Sequence, residues 1–108
     1  MPDYLLQIKY ESKAAEGLIA KPHNREEVMG PVIEKLGGKI KGIWFSLGRY
    51  DVVLILTLPD NLTMKALSIA GNATGFIKDF KVTPLLSIDE SIEAMKKAST
   101  IELKMPSK

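Results

Sequence analysis

The residues best equipped for chemistry are Gly48-Arg49-Tyr50-Asp51. Arg49 could hold a carboxylate or phosphate, Tyr50 could donate a hydrogen bond, and Asp51 could act as a base. The same residues also make a turn. Gly48 accepts a positive φ, Tyr50 fills a sheet edge, and Asp51 pairs with Ser46 or caps the reversal. On the residues alone the turn is the favoured reading. His23 is the sole histidine, so a multi-histidine metal site is excluded. It could serve as an acid or base near neutral pH, but its charged loop favours simple solvation. Trp44, the only tryptophan, could stack on a planar ligand, although packing at an interface suits it better. Tyr4, Lys9 and Tyr10 could line a pocket at the edge of the first strand, or be ordinary sheet surface.

Other chemistries find no foothold. There are no cysteines, which excludes disulfides, thiolate metal sites and thiol nucleophiles. Gly71 to Gly75 lacks the lysine and spacing of a phosphate loop. Glu26, Glu27, Asp89 and Glu90 fall in first helical turns, where negative charge suits the dipole. No cofactor and no metal are expected. The net charge of +2 has no local basic cluster behind it, so nucleic acid is not an expected partner. No apolar run reaches the ~18 residues of a membrane span. The N-terminus lacks a basic region followed by an apolar run, and the expected location is the cytoplasm.

These residues sit on a hairpin. Lys39 to Leu47 and Tyr50 to Leu58 read as two apolar strands reversing at Gly48-Arg49. A loop of two or four residues there places Ile43, Phe45, Leu47, Tyr50, Val52 and Leu54 on one face. That face should meet the helices. Gly42, Trp44, Ser46, Asp51, Val53 and Ile55 then share the other. One layer of helices covers one face of a sheet, so the apolar Trp44, Val53 and Ile55 need another cover. The expected partner is a second copy of the chain.

The rest of the 108 residues supplies one domain, residues 1–98, and a tail, 99–108. Tyr4 to Tyr10 alternates as a strand, and Ser12 to Ala20 forms a short helical turn. Asn24 caps a helix to Leu36 with Glu27 at the capping-box position. Val28, Val32, Ile33 and Leu36 are its expected inward stripe, and Gly30-Pro31 should kink or restart it. Gly37-Gly38 ends it. Asp60 caps a helix to about Ala70, with Leu62, Ala66 and Ile69 inward. Phe76 to Val82 is a fourth strand. Ser87 to Glu90 is a capping box opening a helix to about Ala98, with Ile88, Ile92 and Met95 inward. Ile101 to Leu103 could add an edge strand. The order β-α-β-β-α-β-α is the ferredoxin-like pattern: an α+β fold with an antiparallel four-stranded sheet and an extra C-terminal helix.

The Leu47-Gly48-Arg49-Tyr50-Asp51 turn, preceded by Leu36-Gly37-Gly38-Lys39-Ile40, resembles the GYD-domain family. The resemblance runs from Tyr4 through the helix after Ser87, and departs at Gly30-Pro31 and in the lysine-bearing tail. It implies kinship with the dimeric α/β-barrel superfamily, whose ferredoxin-like protomers pack sheet to sheet. Two functions follow as expectations. One is a homo-oligomeric small-molecule-binding or accessory module, with Arg49, Tyr50, Asp51, His23 and Trp44 as candidate ligand contacts. The effector domain of leucine-responsive regulators is a relative of this kind; without a helix-turn-helix, this chain would not itself bind DNA. The other is a small cofactor-independent enzyme, a monooxygenase or isomerase. The absence of an evident catalytic pair favours the first.

Overall fold

The computed structural model describes residues 1–106. The chain runs β1 (Asp3–Tyr10), α1 (Ser12–Ala20), α2 (Arg25–Lys35), β2 (Lys39–Phe45), β3 (Val52–Thr57), α3 (Asn61–Ala73), β4 (Ile77–Leu85) and α4 (Ile88–Ala98). The four strands form one antiparallel sheet in the order β2-β3-β1-β4. Non-adjacent strands pair in the middle, which is the ferredoxin-like arrangement. β1 is therefore an inner strand, not an edge.

The hairpin follows the expected parity. Ile43 faces Leu54, Trp44 faces Val53 and Phe45 faces Val52. The Ser46 N–H donates to the Asp51 carbonyl at 2.9 Å, leaving a loop of Leu47 to Tyr50. Gly48 turns it with φ 110°, a conformation that side chains resist. The pairing shifts between Ile40 and Gly42. This bulge lets both Ile40 and Ile43, three residues apart, pack on the same core.

That core lies on the helix side. Val52, Leu54 and Leu56 of β3 and Tyr4 and Leu6 of β1 are buried with Leu58, Ile33 of α2 and Met64 of α3. Leu47 and Phe45 share their parity but lie beyond the helices, and both are exposed.

The helices hold several corrections. α2 runs through Gly30-Pro31 without a break. The proline only removes the N–H that would reach the Glu27 carbonyl. The Asn24 side chain accepts the N–H of Glu26 at 2.9 Å, so the expected box with Glu27 does not form. Ile33 is buried, Leu36 packs on the core and Met29 is partly covered, whereas Val28 and Val32 are exposed. Gly37 (φ 86°) and the bond from Gly38 N–H to the Ile33 carbonyl (3.0 Å) close the helix. α3 extends to Ala73 and turns Met64, Leu67 and Gly71 inward; Leu62 and Ile69 are exposed. Its sequence is apolar on two adjacent stripes, and packing selects one.

α4 carries the capping box expected at Ser87 and Glu90. Its stripe does not turn inward: Ile88, Ile92 and Met95 are all exposed, and α4 packs substantially against no other element among the described residues. Residues 101–106 have no regular structure, so Ile101 to Leu103 add no strand.

The single chain is large for its mass. Its accessible surface is 8218 Å², against about 6,000 Å² for a globular monomer of this size. Its radius of gyration is 17.7 Å, against roughly 13 Å.

Candidate functional site

α2 packs on β2 and α3 packs on β4. The two helices thus stand over opposite edges of the sheet and leave a gap above the inner strands. The gap is a cavity of about 290 Å³. Leu6, Ile8, Val52 and Leu54 floor it, and Met29 of α2 and Leu67 of α3 wall it. The α3 wall comes close to β4 because Gly71 has no side chain. A Cβ there would sit 3.3 Å from Ile77 Cδ1 and from Phe80 Cε2.

Among the described residues that line it, three have polar side chains: Tyr10, Arg25 and Thr74. Tyr10 ends β1, and Arg25 opens α2. Burial raises the Tyr10 hydroxyl above its ordinary pKa, and the neighbouring Arg25 guanidinium offsets part of that rise. The phenol therefore stays protonated at neutral pH and is available as a donor.

His23 stands outside the cavity, behind Arg25. Arg25 Nη1 lies 3.2 Å from His23 Nε2, and His23 Nδ1 lies 3.2 Å from the Lys21 carbonyl. An arginine only donates and a carbonyl only accepts. The pair of contacts therefore fits a neutral imidazole protonated on Nδ1.

The hairpin turn abuts the same end of the sheet. Asp51 Oδ2 accepts the Tyr10 N–H at 2.9 Å, and Oδ1 lies 3.3 Å from Lys9 Nζ. The Asp51 N–H donates to the Ile8 carbonyl at 2.8 Å. Ser46 Oγ donates to the Tyr50 carbonyl at 2.7 Å. Arg49 is exposed, 3.8 Å from Asp79 and 5.6 Å above the centre of the Tyr50 ring. It borders an open surface recess with Lys9, Lys78 and Asp79. Trp44 lies on the opposite face of the sheet, half exposed, beside Val53.

Of the candidate contacts, Arg49, Tyr50 and Asp51 thus share the turn. His23 joins the cavity group only through Arg25, and Trp44 belongs to a different surface. Of the three residues considered for a strand-one pocket, Tyr10 lines the cavity. Tyr4 is buried, with its hydroxyl donating to Asn61, and Lys9 faces the other side of the sheet. Arg25 was not legible as a site residue from spacing. One signal marks it: a cation in the first turn of a helix opposes the dipole. Among the described residues, no cluster of three potential ligands for a metal occurs, and no helix is long and apolar enough to cross a membrane.

No curated protein matches the chain. The GYD domain matches residues 4–95, spanning β1 through most of α4. The chain belongs to the GYD domain family.

Proposed function

We propose that the protein is a homo-oligomeric small-molecule-binding module whose ligand occupies the cavity between the sheet and helices α2 and α3. The cavity carries this reading: an apolar chamber of about 290 Å³ with polar groups gathered at one end has the build of a ligand site, at the small end of the usual range. Its lining favours binding over acid-base catalysis. Among the described residues that line it there is no carboxylate and no histidine to serve as the usual general base.

Assembly is supported separately. The sheet face opposite the helices carries Leu5, Trp44, Val53 and Ile55 in adjacent rows, with Gln7 and Lys81 continuing the Trp44–Val53 row toward β4 and Lys9 and Asp79 beyond it. An apolar centre with charge beside it is the composition of an interface. Packing two such faces against each other would bury Trp44 and leave each cavity, on the far side of its sheet, open to solvent.

The neutral fluorophore N-phenyl-1-naphthylamine tests the cavity. Ala70 lines it yet is solvent-exposed, so Ala70→Trp can roof it without repacking the core. The wild-type protein should bind the probe and the variant should not. Equal binding by both would overturn the reading.

A further inference from the structure

The cavity has one charge, and that charge is not neutralised. Among the described residues, no carboxylate oxygen lies within 4.0 Å of a nitrogen of the Arg25 side chain. Its side-chain neighbours are His23 Nε2 at 3.2 Å and the Tyr10 hydroxyl, neutral groups that hold the guanidinium without cancelling it. Asp51, on the turn at that end of the sheet, is already engaged by the Tyr10 N–H and Lys9. Arg25 is also partly buried and sits in the first turn of α2. Both desolvation and the helix dipole disfavour an unpaired cation there. An anion at the cavity end would answer both.

We infer that the ligand is an apolar monoanion, with its aromatic or hydrocarbon body in the cavity and its oxyanion on the Arg25 guanidinium. This rests on the proposal that the cavity is a binding site. The planar guanidinium can meet a carboxylate or sulfonate with two parallel N–H donors. The Tyr10 hydroxyl, on the same lining, supplies a further donor. The remaining walls are hydrocarbon, apart from Thr74. They reject a second charge on the body of the ligand, because a buried charge without a partner is costly. Polyanions such as nucleotides are excluded on the same ground.

A matched pair of probes tests this. 1-Anilinonaphthalene-8-sulfonate differs from N-phenyl-1-naphthylamine only by its sulfonate. The intact protein should bind the anionic probe about tenfold or more tightly than the neutral one. Arg25→Gln, checked for folding by circular dichroism, should remove that advantage, lowering the anionic probe's affinity far more than the neutral probe's. Ala70→Trp should weaken both. If both probes bind alike and Arg25→Gln changes neither, the anion preference is overturned while the cavity stands. If Ala70→Trp changes neither probe, the cavity reading fails and the preference fails with it.

Discussion

The carboxylate of Asp51 holds the backbone N–H of Tyr10, at 2.9 Å, where β1 runs on past the last residue it pairs with in β3. The chain leaves the ladder at the hairpin, and a side chain takes over as acceptor. Through this bond the glycine-tyrosine-aspartate turn fixes the residue that supplies the cavity's hydroxyl. In the proposed site the aspartate would act through Tyr10, from outside the cavity.

Replacing Asp51 should therefore have two effects. Asp51→Ala should destabilise the fold by about 1–2 kcal/mol, since a hydrogen bond to a charged acceptor is lost at a partly exposed position. Asp51→Asn keeps an acceptor oxygen and should cost less. Lys9→Ala should be nearly neutral, because its ion pair with Asp51 is well solvated. Urea denaturation checks the order. Probe affinity should fall in Asp51→Ala as Tyr10 loses its anchor.

The assembly prediction concerns Trp44. Trp44→Asp should raise the dissociation constant of the oligomer about 100-fold, because an unpaired charge in an apolar interface is costly. The indole lies across Gly42, where a Cβ would collide with its six-membered ring. Gly42→Ala should displace the indole and weaken assembly while the protomer stays folded. Sedimentation velocity across a concentration series reads both; unchanged mass in Trp44→Asp would count against the sheet-face interface.

Gly38 is the most demanding glycine. A Cβ there would collide with the backbone carbonyl of Thr57, and with Leu58 Cδ2 at 2.8 Å. Backbone cannot swing aside, so Gly38→Ala should cost on the order of 3 kcal/mol. Gly48→Ala should cost about 1–2 kcal/mol, from its positive φ alone, since open space surrounds that position. Thermal denaturation should rank the two in that order.

Acid should weaken the fold through two aspartates. Asp60 accepts the Thr63 hydroxyl at 2.7 Å and the Thr63 N–H at 2.8 Å, and these bonds hold its pKa below the ordinary 3.8. The Lys41 ammonium does the same for Asp3, at 2.8 Å. A carboxyl with a depressed folded pKa stabilises the fold above its unfolded value. That contribution is lost as pH falls through the folded one. Urea midpoints should hold steady from neutral pH down to about pH 5 and drop below pH 4. Asp60→Asn should flatten the drop, and salt should weaken the part due to Asp3.

What the chain discloses in advance is its hairpin. The pairing of Trp44 with Val53 follows from counting outward from Gly48-Arg49, because strand periodicity is two and a single reversal sets it. Helix faces were less legible. α3 carries Leu62 and Ile69 on one stripe and Met64 and Leu67 on the next, and only the position of β4 decides between them. α4 is amphipathic, yet its stripe stays exposed among the described residues. The cavity escapes sequence reading because it is a gap between two helices docked on opposite sheet edges. Tyr10 reads as sheet surface and Arg25 as a helix-start residue until that gap brings them together.

Native mass spectrometry of the intact protein with 1-anilinonaphthalene-8-sulfonate tests the central claim most directly, because it reads assembly and occupancy together. The account predicts a homo-oligomer that takes up one probe per protomer, and an Ala70→Trp oligomer of the same size that takes up none. An empty monomer would contradict both halves of it, and an oligomer that binds the probe equally with the cavity roofed would contradict the site.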